Sequence, residues 1–130
     1  MDWTATVDAY CERLGPGLWA EPLNAVTNLA FLVAALVMWR RTGGQGLGGL
    51  LSVALALIGI CSGLFHTLAT VWAGAADSGA ILLFVLIYLY AANRRFAGLA
   101  PWAAFAAVLA ALPVLAALGW LFSQLPALGS

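Results

Sequence analysis

Four long stretches of the chain are almost entirely apolar, and they constrain the fold more than any other feature of the sequence. They cover residues 24–40, 47–66, 77–93 and 101–122. A helix needs about 20 mostly apolar residues to cross a hydrocarbon core of about 30 Å. Leu, Ala and Val fill these stretches without the alternation of polar and apolar residues that marks a barrel strand. The sequence therefore predicts an all-α integral membrane protein with four transmembrane helices.

The scarcity of charge favours the same class of protein. Only 8% of the 130 residues are charged and 65% are hydrophobic, whereas a soluble domain carries about 25% charged residues. The sequence has no basic patch, so we do not expect a nucleic-acid partner. Residues 1–22 differ from the rest because they hold four of the five acids. We interpret them as an acidic segment that precedes a membrane domain of residues 23–130.

The arginines predict how the helices are oriented in the membrane. The sequence has no lysine, and four of its five arginines form the pairs Arg40-Arg41 and Arg94-Arg95, which follow the first and third apolar stretches. By the positive-inside rule, both pairs are cytoplasmic. We therefore expect the N-terminus, and the link between the second and third helices, on the outer side of the membrane, periplasmic or lumenal.

His66 is the only histidine in the chain and ends the second apolar stretch. Ser62 precedes it by four residues, so the two side chains share one face of a helix. Asp77, the only acid after Glu21, follows His66 by eleven residues. A hydroxyl, an imidazole and a carboxylate in an apolar region are the components of a hydrolytic or metal site. The same residues also suit a serine hydrolase with Ser62 as nucleophile, or a non-catalytic membrane protein in which His66 only forms a hydrogen bond.

Three acids of the N-terminal segment form a second candidate site. Asp8 and Glu12 are one helical turn apart, and Glu21 follows a turn-like Gly-Pro-Gly sequence at residues 15–17. Carboxylates are hard oxygen ligands, and these three suit calcium if they converge. In the alternative interpretation, the segment is solvated and Glu21 caps the first helix, since acids favour helix N-termini. The residues by themselves leave both interpretations open.

Three motifs occur in a fixed order between residue 8 and about residue 80. They are Tyr10-Cys11-Glu12-Arg13, the run Glu21-Pro22-Leu23-Asn24 with Thr27-Asn28-Leu29, and Ser62-Gly63-Leu64-Phe65-His66-Thr67 followed by Asp77. Together they resemble the alkaline ceramidase family, which belongs to the CREST superfamily of membrane hydrolases. The resemblance implies a seven-helix, zinc-dependent membrane amidase that cleaves the N-acyl bond of ceramide or a related lipid. A lipid-sensing receptor-like relative is an alternative, because the superfamily also includes adiponectin-receptor-like proteins.

The resemblance also implies a role for each candidate residue of the zinc site. His66 would be the first of three zinc-binding histidines. Ser62 would supply the hydroxyl that stabilises the oxyanion, and Asp77 would handle the proton of the attacking water. This chemistry is sound because zinc lowers the pKa of a bound water to about 7.

The N-terminal acids would form a calcium site in the same family. The resemblance implies that Asp8, Glu12 and Glu21 supply its oxygen ligands. The family usually has an Asp next to a Trp in this motif, where the present chain has Ala9 and Tyr10. The match is therefore closer around the zinc ligand than around the calcium ligands.

The zinc site that the resemblance implies has more histidines than this sequence. The family's other two zinc-binding histidines come from a later H-x-x-x-H helix. This sequence has no histidine besides His66. A catalytic zinc normally takes three protein ligands and a water. We therefore expect these 130 residues to be the first part of a seven-helix bundle. By themselves they should hold zinc weakly and be inactive.

Overall fold

The computed structural model describes residues 2–8, 10–15 and 17–124, so that Met1, Ala9, Pro16 and residues 125–130 lie outside the described part. The helices are α1 (Pro22–Thr27), α2 (Leu29–Thr42), α3 (Gly46–Leu68), α4 (Val71–Arg95) and α5 (Pro101–Gln124). Four segments are long and apolar enough to cross a membrane: α1 with α2, then α3, α4 and α5. The prediction of an all-helical, multi-pass membrane protein is confirmed to this extent.

The first predicted helix is interrupted at Asn28. α1 ends at Thr27 and α2 begins at Leu29. The Thr27 hydroxyl and the Asn28 side-chain amide both donate to the carbonyl of Asn24, at 3.1 and 2.9 Å. Side-chain donors of this kind compete with the backbone for helical carbonyls. The interruption is therefore explained by local polar side chains within an apolar span.

A glycine-rich turn joins α2 to α3, and the two helices pack against each other. Gly43 and Gly44 have φ angles of +63° and +69°, a conformation that is costly for residues with a β-carbon. The Gly44 N–H donates to the Trp39 carbonyl at 3.0 Å and closes the end of α2. The turn therefore reverses the chain with only three residues, 43–45, between the helices.

Small and polar residues form most of the buried face of α3. The buried residues of this helix are Gly49, Ser52, Ala54, Ile58, Gly59, Ser62 and His66. A β-carbon at Gly59 would lie 2.9 Å from Leu32 Cδ2 and 3.1 Å from Phe31 Cβ, both on α2. A β-carbon at Gly63 would meet no atom within 4 Å. The close approach of α3 to α2 thus depends on Gly59, as small residues allow in membrane helices.

α4 begins six residues earlier than the predicted third span, which started at Asp77. The N–H groups of Val71 and Trp72, the first donors of α4, bond to the carbonyls of Ala5 and Trp3 at 3.1 and 3.0 Å. The first N–H groups of any helix lack partners within the helix. The N-terminal segment supplies these partners and allows the helix to start at Val71. Asp77 consequently lies inside α4 and not at its first residue.

The contacts divide the chain into two units, residues 1–87 and residues 88–130. The first unit holds α1, α2, α3 and most of α4. The second holds the end of α4 and α5, in which only Ala104 and Val108 are buried. The other described side chains of α5 are mostly exposed and apolar, which suits a helix that faces lipid or further helices.

The glycines of α3 give a direct test of its packing on α2. We expect Gly59→Ala to lower the free energy of unfolding by about 1–3 kcal/mol relative to Gly63→Ala, because the new methyl group must displace Leu32 and Phe31. Both substitutions gain similar helix propensity, so the difference isolates the crowding. Unfolding in detergent micelles, followed by circular dichroism, measures it. Equal stabilities of the two variants would contradict the close approach.

Candidate functional site

The N-terminal segment covers the ends of α3 and α4. We call its described residues, 2–8, 10–15 and 17–21, the N-terminal cap. The Val7 N–H donates to the carbonyl of Ala69, the C-cap residue of α3, at 2.7 Å. Thr6 and Thr70 form an isolated antiparallel β-bridge beside it. These backbone bonds place the cap next to His66 in the last turn of α3.

Glu21 lies at the centre of the candidate site. It is only 1% exposed, and each of its carboxylate oxygens has a side-chain partner. Oε1 accepts a hydrogen bond from Arg13 Nε at 2.6 Å, and Oε2 lies 2.6 Å from His66 Nδ1. Burying a carboxylate is costly unless it is paired and hydrogen-bonded. Arg13 and His66 together meet that requirement.

The pairing of Glu21 determines which nitrogen of His66 carries a hydrogen. The Arg13 guanidinium is always charged, and Glu21 paired with it is a carboxylate that can only accept. The Nδ1 atom of His66 must therefore donate, which leaves the lone pair of the neutral ring on Nε2. A histidine that binds a metal usually donates its other ring N–H to a carboxylate or a carbonyl in this way. Glu21 therefore prepares His66 to bind a metal ion or accept a proton through Nε2.

Ser62 and Asp77 are buried close to His66, each about 8% exposed. Ser62 precedes His66 by one turn of α3, and the Asp77 carboxyl group on α4 lies near both side chains. Asp77 Oδ1 is buried without a hydrogen-bond partner in the described part of the chain. The structure thus brings together the three side chains that the sequence marked as a candidate hydrolytic site. A buried, unpartnered carboxylate oxygen is an exception that points to a ligand or a proton.

Tyr10 of the cap packs against the imidazole. Its ring centroid lies 4.7 Å from that of His66, with an angle of 61° between the planes, and 6.1 Å from that of Phe65. The edge-to-face arrangement is a favoured geometry for aromatic rings. Tyr10 therefore restricts the orientation of His66 from the side of the cap.

Glu12 caps α1, a role that the sequence interpretation had given to Glu21. Its Oε1 atom accepts from the Leu23 N–H at 2.7 Å. Its Oε2 atom accepts from the N–H and the side-chain amide of Asn24, at 3.2 and 2.7 Å. Glu21 occupies the N-cap position but forms no capping bond with its side chain. The reason is that its carboxylate is directed into the buried site.

The described residues do not fit a calcium ion. Asp8 is exposed, and the oxygens of Glu12 and Glu21 already accept N–H donors. No group of three His, Cys, Asp or Glu side chains able to hold a metal occurs between residues 2 and 124, as far as these are described. Calcium takes six to eight oxygen ligands. The expected convergence of the three acids is therefore absent from this geometry.

Zinc fits the site in part. His66 has the orientation of a zinc ligand, and the free Oδ1 of Asp77 suits a group that takes a proton from water. A catalytic zinc needs further protein ligands, and the part of the chain that the structure describes does not group them with His66. The described residues therefore offer one candidate zinc ligand, His66.

Arg13 is the residue that sequence reasoning missed. Its guanidinium donates to Glu21 and to the carbonyls of Gly15 and His66, at 3.1 Å and 3.2 Å for the two carbonyls. A signal was present in the sequence, because Arg13 is the one arginine outside the two pairs that follow apolar stretches. An arginine directly after Glu12 in an acidic segment does not by itself indicate burial. Only the folded cap reveals it.

Comparison with protein families, with curated proteins and with solved structures finds no match for this chain. The resemblance to alkaline ceramidases therefore remains a sequence-based expectation.

Removing the charge of Glu21 should destabilise the fold strongly. We expect Glu21→Gln to lower the free energy of unfolding by about 3–5 kcal/mol, because it leaves the buried Arg13 guanidinium without a counter-ion. Asp8→Asn is the matched control, since this carboxylate is exposed, and we expect a change within about 0.5 kcal/mol. Chemical unfolding of both variants in detergent provides the measurement. A Glu21→Gln protein as stable as the control would show that the buried pair contributes little.

Proposed function

We propose that this chain belongs to a zinc-dependent membrane amidohydrolase that cleaves the N-acyl bond of ceramide or a related lipid. The observation that carries the proposal is the His66 ring, held by Glu21 so that Nε2 is available, with Ser62 and Asp77 buried beside it. Within the proposal, these residues form the contribution of the first helices of a seven-helix bundle to the active site.

His66 is the zinc ligand of this proposal. When bound, the zinc ion supplies Lewis acidity and lowers the pKa of water, so that hydroxide is available at neutral pH. Glu21 holds the ring by its Nδ1 hydrogen, and supporting contacts of this kind contribute about 10- to 100-fold to metal affinity or activity. Tyr10 packs edge-to-face against the same ring and restricts its orientation.

Asp77 and Ser62 act on the substrate and the water. The water oxygen bonds to the amide carbon, the C–N bond breaks, and a proton moves to the leaving amine. Asp77 accepts the proton of the water on its free Oδ1 and returns it to the amine nitrogen. The Ser62 hydroxyl donates a hydrogen bond to the oxygen that becomes negative, and one such donor contributes about 10² to 10³ in rate. Both side chains are buried, where electrostatic effects are stronger than in water.

An apolar groove supports a lipid as the substrate. It lies between α3 and the first two helices, has a volume of about 430 Å³, and includes Leu32, Ile60 and Leu64 in its lining. Gly63 and Thr67, the residues that follow Ser62 and His66 in the chain, also line it. Apolar clefts with a few polar groups nearby are typical binding sites, and an acyl chain matches this lining.

The structural contacts favour the zinc mechanism over the serine hydrolase alternative. In the serine mechanism, Ser62 and His66 form a hydrogen bond and a carboxylate orients the imidazole. Among the described residues, Glu21 orients the imidazole, but no hydrogen bond joins the Ser62 hydroxyl to His66. Without that bond, His66 is not placed as a base for Ser62.

Substitution of the two polar residues tests the proposed activity. On purified native protein in lipid nanodiscs, with an N-acyl sphingosine substrate, we expect Ser62→Ala to lower kcat by about 10² to 10³. We expect Asp77→Asn to lower it by about 10² to 10⁴. Ser52→Ala is the control, because Ser52 is buried on the same helix but, within the described part of the chain, its hydroxyl donates only to the Gly48 carbonyl.

The same assay separates the alternative functions. A zinc chelator should abolish the activity, and zinc should restore it. Labelling of Ser62 by a serine-reactive fluorophosphonate would favour the serine hydrolase. Lack of any amide cleavage, with tight binding of the lipid, would favour the receptor-like relative. If the protein neither cleaves nor binds the lipid, the result would favour a non-catalytic membrane protein.

We also propose that the N-terminal cap faces the periplasm or a lumen. Arg40-Arg41 and Arg94-Arg95, in the last turns of α2 and α4, support this orientation through the positive-inside rule. The proposed active site would then lie near the outer surface, because the cap covers the end of α3 that carries His66.

A native cysteine gives a test of this orientation. Cys11 lies in the cap and is an exposed free thiol. We expect a membrane-impermeant maleimide to label it in intact cells or sealed right-side-out vesicles, and Cys11→Ser to abolish that labelling. Labelling of Cys11 only after the membrane is permeabilised would reverse the orientation.

A further inference from the structure

We propose that Arg13 takes the position that the family resemblance assigns to calcium. In this proposal, the guanidinium is the cation that neutralises Glu21 and joins the N-terminal cap to α3, so that the site folds and functions without calcium. The inference goes beyond the proposed activity, and it holds or fails independently of the substrate.

The first argument is that the carboxylate oxygens are already used. Glu12 accepts three N–H groups at the start of α1. Glu21 uses one oxygen for Arg13 and the other for His66, both at 2.6 Å. A calcium ion would have to replace these donors, and calcium requires six to eight oxygens at 2.3–2.6 Å. The described residues offer no such set.

The second argument is the burial and charge of Arg13. Its side chain is only 4% exposed, and a guanidinium keeps its charge under all conditions in which the protein is folded. A divalent cation bound to the same carboxylate would lie within a few ångströms of this charge, where like charges repel strongly at low dielectric. Calcium and the observed position of Arg13 therefore exclude each other.

The third argument is the set of groups that Arg13 connects. Nη1 donates to the Gly15 carbonyl and Nη2 to the His66 carbonyl, in addition to the bond from Nε to Glu21. The His66 carbonyl belongs to the last turn of α3, where carbonyls lack helical partners and cations are favoured by the helix dipole. Arg13 therefore holds both the backbone of His66 and the carboxylate that orients its ring. This makes Arg13 a positioning residue for His66.

The decisive experiment measures calcium binding without using enzymatic activity. Because His66 is the only histidine, labelling with ring-¹⁵N-histidine gives the two nitrogen signals of a single imidazole, and the Nδ1 signal reports the hydrogen bond with Glu21. We expect this signal, and the thermal midpoint of the native protein in detergent, to be the same in millimolar calcium and in excess EGTA. Equilibrium dialysis with radioactive calcium should show no stoichiometric binding. A saturable shift of the His66 signal with calcium, or a midpoint several degrees higher in calcium, would overturn the proposal.

Variants of Arg13 test the cation role itself. We expect Arg13→Met to lower the thermal midpoint by roughly 10 °C or more. Arg13→Lys should lower it less, since lysine keeps the charge but lacks the fork of donors. Arg41→Met is the control because Arg41 is exposed. An Arg13→Met protein as stable as this control would contradict the proposal. If Arg13→Met does not fold, the comparison of Arg13→Lys with wild type and the calcium titrations of the native protein still decide it.

The outcomes also separate this inference from the proposed function. A protein without amidase activity that is indifferent to calcium would refute the amidase and support the role of Arg13. An active amidase that loses its fold in EGTA would support the amidase and refute the role of Arg13.

Discussion

A buried carboxylate with two nitrogen partners is the constraint on which the candidate site depends. Glu21 reaches Arg13 in the cap and His66 in α3, separated from it by 8 and 45 residues along the chain. Such a group cannot be left partly paired, because an uncompensated buried charge costs several kcal/mol. The cap and the helix end must therefore form together. The orientation of the single histidine follows from this requirement.

The N-terminal cap also supplies hydrogen-bond partners to the helix ends of the first unit. Its backbone bonds to Ala69 at the end of α3 and to the first donors of α4, while Glu12 bonds to the first donors of α1. These are the backbone groups that helices leave unpaired. The same segment that satisfies them also carries Tyr10 and Arg13 to His66. The same segment therefore satisfies the helix ends and forms part of the candidate site.

The charges of the site explain why the acids of the N-terminal segment do not behave as a metal cluster. Four acids in 22 residues suggest a region that attracts cations, and the cation present in the structure is an arginine of the same segment. A guanidinium offers directional donors to a carboxylate and to carbonyls at once. A calcium ion would instead require oxygen ligands from all sides. Next to Ser62 and His66, Asp77 Oδ1 is a buried oxygen without a hydrogen-bond partner among the described residues.

The sequence by itself determined the membrane class, the four spans and the proximity of Ser62 to His66. Length, hydropathy and the helical repeat are local properties, and they depend little on which helices pack together. The early start of α4 and the interruption at Asn28 were not predictable from apolar patterning, because they depend on polar partners for individual backbone groups. Only the tertiary structure decided the roles of the N-terminal acids. Glu21 turned inward and Glu12 became the helix cap because their partners, His66 and the α1 backbone, meet them only in the folded cap. The sequence does not fix which partner a charged residue will have. Pairing becomes necessary only when the residue is buried, because an unpaired buried charge is strongly destabilising.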